Sequence, residues 1–107
     1  GPTPDGAVCI CADVIEHLAQ PEHAMLAMRK ALESGGVLVL STPDRDRSNW
    51  TRRSGPPMNR GHVQEWTLAE LTAWCGDLGF FVAEATHTRS NDHEPDLATC
   101  LLVLAAP

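Results

Sequence analysis

No apolar run in this 107-residue sequence approaches the roughly 18 residues needed to span a bilayer. Nor does it open with a basic stretch followed by an apolar segment. Both absences make a soluble, cytoplasmic protein the expectation. Cysteine is sparse: Cys9, Cys11, Cys75 and Cys100 all lie in apolar, regularly patterned segments, which reads as four reduced thiols. No C-x-x-C pair exists to complete a zinc site of the usual spacing, and so no structural zinc is expected. Positive charge is in deficit, with 8 Lys and Arg against 14 Asp and Glu for a net charge of -6, which argues against a protein that coats nucleic acid with its whole surface. Internal repeats and low-complexity tracts are absent, and the length allows one domain at most.

The sequence does contain a near-average soluble composition, 43% hydrophobic and 21% charged, so the chain should fold. Gly1 to Gly6 is turn chemistry. Residues 7–12 (AVCICA) form a nearly unbroken apolar run, the pattern of a central strand buried on both faces of a parallel sheet. Asp13 stands where it can cap a short segment over 14–18, and Pro21 opens a longer helix through Glu33 with Met25, Met28, Ala31 and Leu32 on one side. Gly35 stops that helix, and residues 37–40 form a second apolar strand ending in Ser41-Thr42-Pro43, which completes a parallel strand, helix, strand unit.

Residues 43–66 show no period, and loops of this length tend to carry function. Five of the eight basic residues, Arg45, Arg47, Arg52, Arg53 and Arg60, fall inside it. They suit either an anion or plain solvation. The loop ends in a T-x-x-E capping box, Thr67 to Glu70, with Trp66 and Leu71 placed as a hydrophobic staple. Leu68, Leu71, Trp74, Cys75 and Leu78 make an apolar stripe that Gly79 closes. Two further strands, 80–86 and 99–105, are joined without a helix and should pair antiparallel. His23, His87 and His93 lie among polar residues and read as surface positions.

Asp13, Glu16 and His17 are spaced i, i+3, i+4 after the first strand, where open α/β sheets place ligands. The segment Asp13-Val14-Ile15-Glu16-His17-Leu18, then Pro21, Gly35-Gly36, a strand and Ser41-Thr42-Pro43, resembles the second half of class I S-adenosylmethionine-dependent methyltransferases. His62-Val63-Gln64-Glu65-Trp66-Thr67, Glu70-Leu71 and Leu78-Gly79-Phe80 are similar to that family's entry into its last helix. The resemblance implies an α/β fold: the carboxyl-terminal half of a Rossmann-like sheet, with two parallel strands and a terminal antiparallel pair. Residues 1–107 would then be a partial methyltransferase domain of the type 11/12 kind. The family's Gly-rich turn and following acidic residue have no counterpart here.

The resemblance further implies that Ala12, Asp13 and Val14 lie along the methionine portion of S-adenosylmethionine, with His17 or His62 as the base for a small-molecule acceptor. A weaker resemblance, to small-RNA 3′-terminal ribose 2′-O-methyltransferases, implies Glu16, His17 and His62 as ligands of Mg²⁺ or Mn²⁺, Asp13 standing in for the fourth. Arg45, Arg47, Arg52 and Arg53 would then meet RNA phosphates, with Trp50 stacked on a base. A noncatalytic interaction module derived from a methyltransferase is the third alternative. In the family's sheet order the strand at 7–12 would lie beside a missing strand, so self-association, or docking of a complementing amino-terminal segment on that edge, is expected.

Overall fold

The structure is a computed structural model that describes residues 7–45, 63–89 and 98–107. The first apolar run forms β1 (Val8–Ala12) and the second β2 (Val37–Pro43), paired in parallel. Between them a single 3-10 turn (Ile15–His17) leads to α1 (Pro21–Ala31), with Pro21 in the first turn. After the long loop come α2 (Leu68–Asp77), β3 (Phe81–Arg89) and β4 (Ala98–Ala105). The sheet order is β1-β2-β4-β3, with β4 antiparallel to both neighbours. Two antiparallel steps make β3 parallel to β2, so α1 and α2 each lie in a crossover stepping the same way along the sheet. Crossovers of one hand then leave both helices on one face.

That face holds the core. Met25 and Leu32 of α1 and Leu71 and Cys75 of α2 are buried together with Leu38 and Leu40 of β2 and Cys100, Leu102 and Leu104 of β4. The alternate strand residues face the other way. Val37, Val39, Leu101 and Val103 are only half-buried there, and Val8, Ile10 and Phe81 are 60%, 75% and 63% exposed. Among the described residues no helix covers this second face, and no strand lies beyond β1. β1 is therefore, among the described residues, an edge strand and not a central one. Its unbroken apolar pattern remains that of a strand meant to be covered on both sides.

Two glycines set the turns. Gly36 has φ of +98°, and a Cβ there would stand 2.4 Å from the Ala7 carbonyl oxygen, so only glycine lets the chain enter β2 beside β1. Gly79 has φ of +93°, and a Cβ would meet the Arg29 guanidinium, whose Nη1 donates to the Leu78 carbonyl at 2.7 Å and ties α1 to the end of α2. The capping box is complete: the Glu70 amide donates to Thr67 Oγ1 at 3.2 Å, and the Thr67 amide donates to Glu70 Oε1 at 2.9 Å. Trp66 stacks on Trp74 with centroids 5.1 Å apart, and Leu71 is buried in the same cluster. None of the four cysteines is in a disulfide. No helix among the described residues is long and apolar enough to cross a membrane.

Candidate active site at the carboxyl ends of the parallel strands

β1 and β2 end side by side, held by a hydrogen bond from the Asp13 amide to the Ser41 carbonyl at 3.0 Å. Asp13 has φ of +54°, a left-handed conformation that Asp tolerates better than most residues, and this swings the chain out of β1 into the 3-10 turn. Asp13 does not cap that turn. The cap position is Val14, without a side-chain bond, because the segment is too short and too tightly wound to present its first amides to a residue in left-handed geometry. Ala12, Asp13 and Val14 are all exposed.

The tight turn separates Glu16 from His17. Glu16 is buried, and its Oε1 accepts a hydrogen bond from Thr42 Oγ1 at 2.9 Å, while its backbone carbonyl accepts from the Val63 and Gln64 amides at 2.6 and 3.4 Å. The end of the long loop is thus fastened to this turn. His17 is half-exposed, with Nε2 4.0 Å from Glu16 Oε2. Burial, and secondarily the Glu16 carboxylate, raises the Cys11 thiol above its ordinary range.

Arg45 belongs to the other end of the loop. Its amide donates to the Trp66 carbonyl at 2.9 Å, and its Nη2 pairs with Glu70 Oε1 at 2.9 Å. The Glu70 carboxyl is held below the usual range, first by the Thr67 amide and then, against a smaller rise from burial, by Arg45. His62, Arg47, Trp50, Arg52, Arg53 and Arg60 lie outside the described residues, as does His93. His23 is exposed, as its polar surroundings suggest.

His87 is a different case. Instead of facing solvent it is partly buried on β3, with Nε2 2.5 Å from Oδ2 of the buried Asp44, and the Cys100 thiol donates to the same oxygen at 3.7 Å. Burial, then Asp44, pushes the Cys100 thiol up to about 12. Sequence patterning missed both Asp44 and His87. The signal available was Asp44 following a strand that ends in Ser-Thr-Pro, at the ligand end of the sheet.

This geometry, a βαβ unit with its polar groups at the carboxyl ends and a terminal antiparallel hairpin, matches known proteins along nearly its whole length. Residues 5–85 match the methyltransferase-domain family. The chain belongs to that family. A probable S-adenosylmethionine-dependent methyltransferase from Mycolicibacterium smegmatis is 34% identical over 85 residues, which cover 78% of this chain and 32% of that protein. The chain therefore spans about a third of the length of this curated relative. Among solved structures, a putative methyltransferase from Haloferax volcanii in complex with the Trm112 activator superposes with a TM-score of 0.71 at 18% identity, covering 99% of this chain and 57% of the other. An O-methyltransferase of neocarzinostatin biosynthesis, bound to S-adenosylmethionine and a naphthoic acid, gives 0.63 at 18% identity over 100% of this chain and 31% of the other. At these identities the structures establish the fold: the sheet is that of class I S-adenosylmethionine-dependent methyltransferases.

Proposed function

We propose that this chain builds the acceptor-side half of an S-adenosylmethionine-dependent methyltransferase site. The cofactor-binding half is supplied by a segment or partner outside residues 1–107. One observation carries this reading: β1, apolar throughout, lies at an open edge with Val8 and Ile10 exposed beside the half-buried Val37 and Val39. Covering a Val or Ile side chain is worth about 1.5–3 kcal/mol, so the face and edge favour a complement. A further strand paired to β1, with a helix across the open face, would also place a Gly-rich turn next to Asp13. The sequence itself holds no G-x-G.

The bound cofactor would supply a methyl group on a sulfonium sulfur. The chain's own residues would align the reactants and manage a proton, which is most of what an in-line displacement asks of a protein. Ala12, Asp13 and Val14 present an exposed, left-handed corner for the methionine end of the cofactor. Glu16, fixed by Thr42, steadies His17, whose exposed ring accepts the proton of an acceptor hydroxyl. His62 is the other candidate base. A small-molecule acceptor is the substrate class, and the chain alone is inactive.

A second reading, metal-dependent ribose 2′-O-methylation of RNA, has one supporting contact. Glu16 Oε2 and His17 Nε2 are 4.0 Å apart. A closure of about 1 Å would bring them to the cis separation, about 3 Å, of an octahedral ion with bonds of about 2.1 Å. With His62 they would hold Mg²⁺ or Mn²⁺ and position a terminal ribose. Mn²⁺ affinity that survives His62→Ala would remove this ligand set.

Calorimetric titration with S-adenosylhomocysteine tests the main reading. Residues 1–107 alone are expected to give no tight binding, and binding should appear once the complementing half is present. Tight binding by these residues alone would overturn the proposal. No binding in either form would favour the noncatalytic interaction module.

A further inference from the structure

Three strands converge on one point at the carboxyl end of the sheet, on the far side of Thr42 in the strand order from Glu16. Cys100 of β4 pairs directly with His87 of β3 on one side and with Thr42 of β2 on the other. Directly opposed residues share a face, and Asp44, two positions beyond Thr42, is buried beside them. A bulge between Val82 and Glu84 of β3 makes this alignment. The ladder pairs Val82 with Leu104 but Glu84 with Val103, so one residue is skipped. An unbulged ladder continuing from Val82 would set Thr86, not His87, opposite Cys100. The bulge brings an imidazole to the buried face where the Asp44 carboxylate and the Cys100 thiol already meet, a recognised use of bulges beside functional sites.

We propose that Asp44, His87 and Cys100 form a binding site for a divalent transition metal, with Zn²⁺ as its ligand. One ligand atom from each residue lies within 4.8 Å of the other two. Bonds of about 2.0 Å to oxygen and nitrogen and 2.3 Å to sulfur place tetrahedral ligand pairs about 3.3–3.6 Å apart. Cys100 Sγ and Asp44 Oδ2, at 3.7 Å, already have nearly that separation. His87 Nε2 and Asp44 Oδ2, at 2.5 Å, must part by about 0.8 Å to reach it. The His87 side chain, 31% exposed, has room to move outward.

A sulfur with an imidazole disfavours Mg²⁺ and Ca²⁺, and one oxygen, one nitrogen and one sulfur suit zinc. Three protein ligands leave a fourth position for water, the ligand count of a reactive site rather than a closed structural one. Spacing rules cannot find this site, since its ligands are separated by 43 and 13 positions and meet only through sheet pairing. It rests on geometry independent of the methyltransferase reading.

Cobalt titration of the purified protein, followed by zinc displacement, tests it. The expected result is one equivalent of Co²⁺ with a thiolate-to-cobalt charge-transfer band that Zn²⁺ abolishes. Cys100→Ser should remove the band, His87→Gln should weaken binding about tenfold or more, and Cys9→Ser should change neither. If Cys100→Ser fails to fold by circular dichroism, His87→Gln decides alone, its ring being partly exposed. Absence of a thiolate band in the folded wild-type protein, a band undiminished in folded Cys100→Ser, or unchanged affinity in His87→Gln would each overturn the proposal.

Discussion

Thr42 and Glu16 are both buried at the ligand end of the sheet, and the Thr42 hydroxyl donates to the carboxylate at 2.9 Å. A buried carboxylate that loses such a donor has less of its desolvation compensated. Thr42→Val, nearly isosteric, should therefore cost about 1–3 kcal/mol in urea denaturation. A change within a few tenths would show that Glu16 does not depend on this bond. At Gly79 a methyl group would stand 2.1 Å from Arg29 Nη1 in a left-handed backbone, so Gly79→Ala should also cost on the order of 1–3 kcal/mol, through strain and the lost Arg29–Leu78 tie. Combining it with Arg29→Ala should give less than the sum, since the two residues share one contact. At this scale the sequence was informative where chemistry is local, as with Gly79 closing α2. It was poor where the partner is distant: the Glu16 partner lies 26 positions away and the His87 partner 43, and no local pattern encodes either contact.

Among the elements, α2 was the most legible, because capping box, apolar stripe and terminal glycine agree within about a dozen residues. Thr67→Ala should destabilise by about 1 kcal/mol. The lowered Glu70 carboxyl adds a pH signature: its contribution is present above the ordinary value of 4.5 and is lost as pH falls through its lower folded-state value. Glu70→Gln should flatten the acid limb of the stability profile. At the alkaline end burial pushes the Cys75 thiol from 9.0 to about 12. The folded state resists its ionisation, so stability is whole below pH 9 and declines above it, by up to about 1.4 kcal/mol per pH unit for this thiol. The sequence has no tyrosine to obscure that limb, and Cys75→Ala should reduce its slope; an unchanged slope would show that Cys75 ionises as freely folded as unfolded. β3 was less legible. Its bulge reverses the alternation of sides midway, so a phase taken from Val82 puts His87 on the wrong face.

For the whole molecule, the parallel β1-α1-β2 unit and the antiparallel β3-β4 pair followed from the order of elements and the rules of connection, whereas the insertion of β4 between β2 and β3 did not. The open edge and uncovered face followed from the family resemblance, which sets residues 7–12 beside a missing strand, and not from the local pattern. An apolar strand reads as buried whether its cover comes from the same stretch of chain or from elsewhere, so residues 7–12 read as central and form an edge. Ile10→Lys should leave the fold of these residues intact, its side chain being 75% exposed, yet abolish assembly with a complementing half. Loss of the fold itself would mean that the exposed face supports the core.

The most direct test is amide hydrogen exchange along β1. The bonds from Val37 N to Ala7 O and from Asp13 N to Ser41 O show that odd-numbered residues of this strand face β2. Parallel pairing then turns the amides of Val8, Ile10 and Ala12 toward the open edge. In residues 1–107 alone these three amides should exchange quickly while those of Cys9 and Cys11 are protected. In the assembled, S-adenosylhomocysteine-binding form all five should be protected. Rapid exchange at Val8, Ile10 and Ala12 in a protein that binds S-adenosylhomocysteine would contradict the account.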